Sequence, residues 1–413
     1  MRYEGRSEKE RAGRFCRGQW RRGGAIVFIG MLLGVTGVFP HVAPAAESTP
    51  DRHEQIVAAR IAQILPGVVG IMVEVKAEVT VRCGPNDTYA VKPDGDRENG
   101  TGFIIHPDGW IATNGHVVMA IQRPDEDHVT DFLAAAAQTA CGPGLKKLPE
   151  KQRKARMTAI LKDPENRKGV TLTRTLDVYL PTGEARQGYA ATIKAFSPPI
   201  DPDFFPKDGS KPNPPMLDAA IIKIDAKDLP TVRLASSASH AVALGQQLVI
   251  VGYPGVVVWH DFLSKKSRAE ATITFGRVSA FRLDVNDRWI LQTDAPISWG
   301  NSGGPAFNIR GEVVALATFI STSLEGDQAI QGFNFLIPID SIHAQAKQLG
   351  VTPSTDSPFT REWDRAVEAF IEGRSKEAIA HAEAADKLVP GLIDVQRAIV
   401  RFRKLQELRG EKP

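Results

Sequence analysis

The 413 residues predict a mainly β chain with a helical insertion and a small α-helical C-terminal segment. Three observations lead there. Runs rich in β-branched residues, such as GVVGIMVEV (67–75), QQLVIVGYPG (246–255) and EVVALATFI (312–320), recur through the middle and end at Gly, Pro or Asp. An alanine-rich stretch, VTDFLAAAAQTAC (129–141), and a Lys/Arg-rich one, LKKLPEKQRKARMTAILKD (145–163), interrupt them with helical composition. After residue 358 the composition is helical to the end.

Taken in order, the first 24 residues hold eight Lys/Arg and three Glu, ahead of the apolar run AIVFIGMLLGVTGVF (25–39) and an A-x-A site at 43–45. A basic start, a short apolar core and a small-residue site describe a secretory signal peptide over 1–45, and hence a periplasmic or secreted protein. The alternative is inner-membrane anchoring by an uncleaved signal, although the run is short for a span. The whole chain has net charge +3, so without this segment it is slightly acidic and gives no reason to expect nucleic acid as a partner. Cys16 leaves with the signal. Cys83 and Cys141 remain as an even pair, either a disulfide in an oxidising compartment or two separate thiols. Their spacing is not that of a zinc site, and neither metal nor cofactor is expected.

DRHEQIVAARIAQIL (51–65) is helical and stops at Pro66. GVVGIMVEV and AEVTVRC (77–83) follow as strands, and RCGPNDTYAVKPDGDRENG (82–100) is polar and turn-rich, a loop. GTGFIIHPDGWIATNGHVV (100–118) is a hairpin that turns at HPDG and ends at His116. Residues 122–169 form the helical insertion, whose basic helix covers a barrel or meets an acidic partner or lipid headgroups. VTLTRTLDVYLPTGEARQGYAATIKAF (170–196) gives two strands about a turn, and 197–215 a Pro-rich surface loop. MLDAAIIKID (216–225) sets Asp218 directly before an apolar strand. VVVWHDFLSKKSRAE (256–270) is an exposed loop and ATITFGRVSAF (271–281) a strand. SIHAQAKQLG (341–350) is a helix, and TPSTDSP (352–358) a linker.

The chemistry centres on GNSGGP (300–305), a tight turn between WILQTDAPI (289–297) and EVVALATFI. Gly300 accepts a sharp bend, which can aim the N–H groups of Gly300 and Ser302 at one point, as an oxyanion hole requires. The bland alternative is a glycine-rich turn whose serine bonds its own backbone. A nucleophilic serine needs a histidine to take its proton and a carboxylate to orient the histidine. His116 and Asp218 supply them. Asp201, Asp203 and Asp208 lie in loop sequence, Asp177 alternates within a strand, His106 lies in a turn, and His128, His240 and His260 lack a motif. The order His116, Asp218, Ser302 excludes the subtilisin and α/β-hydrolase arrangements and agrees with the chymotrypsin-like order.

TNGHVV (113–118), LDAAIIKI (217–224), QTDAPISWGNSGGP (292–305), GEVVAL (311–316) and GFNFLIPID (332–340) together resemble the HtrA (Deg) branch of the trypsin-like serine proteases. The resemblance covers about 52–349. It implies a chymotrypsin/trypsin-like double β-barrel, His116 and Asp218 on the first barrel, Ser302 on the second, and control by ordering of the 256–270 loop region. It further implies cleavage of unfolded polypeptides, a homo-oligomer such as a trimer, and an S1 pocket bordered by Phe333, Asn334 and Phe335. The chain departs from the family at Ser298-Trp299, where a small residue and proline are usual, at Asn334, where glycine is common, and in the 102 positions from His116 to Asp218. No PDZ-like segment follows. Residues 359–408 instead resemble one tetratricopeptide unit plus a helix, with Gly373, Ala378, Ala385 and Pro390 at the repeat's positions. Trp363, Phe370 and Leu388 read as its apolar side, which should pack on the protease or on a protein partner. The competing class is a catalytically silent polypeptide-binding or chaperone-like module on the same fold.

Overall fold

The computed structural model describes residues 52–182, 188–199, 216–284, 286–318, 321–322, 329–330, 332–408 and 410. The signal-like segment 1–45 and most of the 197–215 loop, with Asp201, Asp203 and Asp208, lie outside the described residues. The chain divides at residue 58. Residues 52–58 begin helix α1 (Arg52–Ile64), and the unit from residue 59 onward contains everything below.

The first barrel is organised by β1 (Val68–Arg82), 15 residues long. Val69, Ile71, Val73, Val75, Ala77, Val79 and Val81 are buried, while Lys76, Glu78, Thr80 and Arg82 face solvent, the period-two pattern of a half-buried strand. The sequence suggested two strands here; one continuous strand forms because its whole length has partners. Residues 68–75 pair with β3 (Asp96–His106), 70–79 with β5 (Val170–Tyr179), and 79–82 with β2 (Thr88–Val91). The polar stretch 82–100, expected as a loop, therefore contains β2 and the start of β3. Pairing to β1 outweighs its turn-like composition. With β4 (Trp110–Thr113), β6 (Gly188–Ser197) and β7 (Ala219–Ile224), the order is β2-β1-β3-β4-β7-β6-β5, and the β1–β5 pairing closes six strands into a barrel.

The second barrel has the order β12-β9-β10-β11-β16-β13-β8 and closes by pairing β12 with β13. Its strands are β8 (Arg233–Leu234), β9 (Gln247–Gly252), β10 (Thr272–Leu283), β11 (Trp289–Thr293), β12 (Pro305–Phe307), β13 (Glu312–Ala317) and β16 (Asn334–Pro338). A separate ribbon pairs β14 (Ser321–Thr322) with β15 (Ala329–Ile330). The continuous apolar run of β7 has a simple cause. Ala220, Ile222 and Ile224 join the first barrel's core, while Ala219 and Ile221 join the second core with Phe103, Ile105 and Ala112. A strand covered on both faces loses its alternation. The architecture is the double β-barrel the resemblance implied.

The insertion forms α2 (Asp125–Ala140) and α3 (Glu150–Lys162). Phe132, Leu133, Ala136 and Ala137 of α2 pack in the first core with Val79 and Val81, and a Cys83–Cys141 disulfide ties β1 to the end of α2. α3 is solvated almost all round, with Ile160 its buried residue. After α4 (Asp340–Gln348) come α5 (Pro358–Ile371), α6 (Ser375–Leu388) and α7 (Ile393–Leu408). Ser357 caps α5 by accepting the Thr360 N–H. Phe359, Trp363 and Phe370 are buried in the same core as the first barrel. The Trp363 indole N–H reaches the Gln63 carbonyl at 3.2 Å, and Gln63 donates to Asp364 at 2.6 Å. Leu388, expected on the buried side, closes α6 at 43% exposure.

Candidate active site

His116 starts a short 3₁₀ turn just after β4, and Asp218 immediately precedes β7, the neighbour of β4 in the sheet. That adjacency brings together residues 102 positions apart. Gly115 is required between them, because a Cβ there would stand 2.0 Å from the Ser197 carbonyl oxygen. His116 Nδ1 lies 3.0 Å from both carboxylate oxygens of Asp218, and the His116 backbone N–H donates to Oδ1 at 2.9 Å. Thr318, on the second barrel, donates its hydroxyl to Oδ2. Asp218 is fully buried, whereas the His116 side chain keeps 30% of its surface exposed. The backbone at Asp218 is left-handed (φ 46°), a conformation aspartate tolerates better than most residues.

Burial alone would raise the Asp218 pKa, but the His116 charge and hydrogen bond, the Thr318 hydroxyl and the His116 N–H outweigh it and hold the carboxyl below its ordinary value. For His116 burial presses the pKa down. The charge and hydrogen bond of Asp218, with a contribution from Glu98, reverse this and leave the imidazole above its ordinary value. The pair is a carboxylate holding the Nδ1 side of an imidazole.

The Ser302 turn is held from both barrels. Thr101 donates its hydroxyl to the Gly300 carbonyl (2.7 Å) and its N–H to the Ser302 carbonyl (2.8 Å). Asn114 Oδ1 accepts the Gly303 N–H at 2.6 Å, and Asn114 Nδ2 donates to the Asp218 carbonyl at 2.8 Å. Gly300 has φ 95°, and a Cβ there would fall 2.5 Å from Asn99 Nδ2 and 2.6 Å from the Tyr253 carbonyl oxygen, so no side chain fits. Within this turn the Asn301 N–H bonds Ser298 O, the Gly303 N–H bonds Ala317 O as well as Asn114, and the Gly304 N–H bonds Asn301 O. Among the described residues, the N–H groups of Gly300 and Ser302 donate to no protein acceptor. Free backbone donors at such a turn are what an oxyanion hole requires. No hydrogen bond joins Ser302 Oγ to His116, a contact that is commonly long in a free enzyme.

Asn334, on β16, is buried; its Nδ2 donates to the Ala295 carbonyl at 2.8 Å, and its Oδ1 has no hydrogen-bond partner. Phe333 is 57% exposed, and the Phe335 carbonyl accepts the Thr318 N–H. Of the other histidines, His128 is buried with Nε2 2.9 Å from the Ala120 carbonyl oxygen, a structural bond that ties the insertion to the segment before it. Reading the sequence missed Thr101, Asn114 and Thr318. For the first two a signal existed, since GTGF and TNGH place polar residues beside strands that are otherwise apolar. Thr318 had none.

A model of the trypsin-like peptidase domain matches residues 100–316. A probable periplasmic serine endoprotease DegP-like protein of Pseudomonas fluorescens is 34% identical over 44% of this chain and 34% of its own length. The same-named protein of Pseudomonas savastanoi pv. phaseolicola is 27% identical over 76% of this chain and 49% of its own. The chain thus spans half or less of these curated relatives. A solved HtrA-type protease, AlgW with tripeptide, is 18% identical over 71% of this chain and 64% of its own, with a TM-score of 0.40, too distant to place any residue. Match and architecture agree: the chain belongs to the trypsin-like peptidase domain family.

Proposed function

We propose that this protein is an exported serine endopeptidase that hydrolyses peptide bonds in unfolded or misfolded polypeptides. Ser302 attacks the scissile carbonyl, His116 accepts its proton and returns it to the leaving amine, and buried Asp218 holds the histidine's tautomer. The N–H groups of Gly300 and Ser302 receive the oxyanion, and Phe333, Asn334 and Phe335 border the pocket for the residue before the cut. The acyl-enzyme on Ser302 is then cleared by water, with His116 again as base.

The carrying observation is the pairing of His116 with a fully buried, hydrogen-bonded Asp218 beside a turn whose two unengaged donors are Gly300 and Ser302. Export is supported by the signal-like residues 1–45, by the periplasmic naming of the relatives, and by a disulfide of the kind that persists in oxidising compartments. Resemblance supports a homo-oligomer, such as a trimer.

The test is labelling by a fluorophosphonate probe together with cleavage of casein, each lost in Ser302→Ala. The open Ser302–His116 contact is what would favour a silent binding module. A purified wild type that neither labels nor cleaves, while still holding unfolded polypeptide, would decide for that module.

A further inference from the structure

A trans peptide is planar, so the Trp299 carbonyl and the Gly300 N–H point in opposite directions. The Gly255 N–H holds that carbonyl at 2.8 Å. Whatever fixes Gly255 therefore fixes the direction of the Gly300 N–H. Gly255 opens the loop that runs to Glu270, and the outer side of that loop faces solvent. Val256 is 64% and Phe262 94% exposed. Its inner side is buried: Val258 and Ala269 line one small cavity with Asn99, Tyr179, Leu180 and Tyr253.

Helix α7 grips this arrangement at two points. Its first residue, Ile393, donates its N–H to the Pro181 carbonyl at 2.8 Å, one residue past the cavity wall at Leu180. One turn later Arg397 Nη2 meets Glu270 Oε1 at 2.6 Å, next to Ala269. A path thus leads from α7 through Glu270 to Ala269, across the cavity that Ala269 lines together with Val258, and on through the 254–259 turn to Gly255 and the Trp299–Gly300 peptide.

We propose that Arg397 is a positioning residue for the protease site: by clasping Glu270 it holds the 253–271 loop so that Gly255 keeps the Gly300 N–H aimed for the oxyanion. The three C-terminal helices then belong to the catalytic apparatus. This rests on the protease reading for its consequence, though not for its geometry.

The experiment compares wild type, Arg397→Glu, Glu270→Arg and the double exchange by amide hydrogen exchange and by the rate of fluorophosphonate labelling. Each single reversal is expected to speed exchange in peptides covering 253–271 and 298–304 about fivefold, the scale of one partly exposed ion pair, and to slow labelling comparably. The double exchange, with the pair re-formed in reverse, is expected to restore both. Unchanged exchange in those peptides after Arg397→Glu overturns the proposal, as does a double exchange no better than the singles. If charge reversal disturbs the packing of α7 itself, seen as faster exchange throughout 393–408, Arg397→Gln is read instead, with the same localised acceleration expected and its absence equally fatal. A wild type that takes up no probe would remove the protease reading, while the exchange data would still decide the coupling.

Discussion

The side chain of Asn114 links itself to Gly303 at 2.6 Å and also donates to the Asp218 carbonyl at 2.8 Å. One buried amide thus spans from the backbone of Asp218 to the residue after Ser302. Removing it orphans the Asp218 carbonyl and weakens the hold on the Ser302 turn. Asn114→Ala should lower kcat by about 10- to 100-fold, the equivalent of roughly 1–3 kcal/mol for two buried hydrogen bonds. KM and the circular dichroism spectrum should change little, and a loss confined to KM would contradict the assignment.

Members of a triad act as a unit. Ser302→Ala and His116→Ala should therefore be similarly damaging, and the double variant little worse. Asp218→Asn should cost about 10⁴ in kcat, as in other triads, because the imidazole would be held in the wrong tautomer. The measurement is casein and peptide cleavage beside the folded-state spectrum of each variant.

In the proposed mechanism His116 must be neutral to accept the Ser302 proton, and Asp218 raises its pKa above the ordinary value near 6.5. The acid limb of kcat/KM should accordingly have its midpoint above 6.5, with activity lost as pH falls through it. In Asp218→Asn the carboxylate charge is gone while burial remains, so the His116 titration, followed by NMR, should move downward. An unmoved titration would show that Asp218 does not set it.

Trp363 is 2% exposed within the core that also holds the first barrel's strands. Trp363→Ala should destabilise the whole unit by about 3–5 kcal/mol, with a single lowered transition in thermal unfolding. An early, separate transition with the barrels unaffected would instead mark the C-terminal helices as an independent domain.

Asp394, on α7, carries a half-buried carboxyl. Burial raises the Asp394 pKa to about 6, with Glu270 adding to the effect and Arg397 opposing it. The folded state then holds a proton that the unfolded chain has lost, so this residue's contribution to stability falls as pH rises from about 4 to beyond 6. Asp394→Asn should make unfolding temperatures less pH-dependent in that window and raise them above it. An identical pH profile in wild type and variant would rule this out.

What could be read from the sequence divides along physical lines. His116, Asp218 and Ser302 each stand beside a strand with its own local pattern, so position along the chain was enough to nominate them. Thr318 stands next to Ala317 with no pattern of its own; it meets Asp218, 100 residues away, only because the two barrels dock. The apolar stripe of α5 was legible, but not the surface that covers it, since Trp363 and Gln63 are 300 residues apart. Residues 96–100, polar and turn-like, become strand because β1 offers them a partner.

The left-handed backbone at Asp218 also limits how this site could change over generations. Glutamate, the other common carboxylate, would have to adopt a conformation that a longer side chain disfavours, and would then overshoot the imidazole as well. Asparagine fits the backbone but cannot bear the charge. Variation can therefore adjust the neighbours of this acid far more freely than the acid itself, and an engineer retuning the site would do better to start from Thr318.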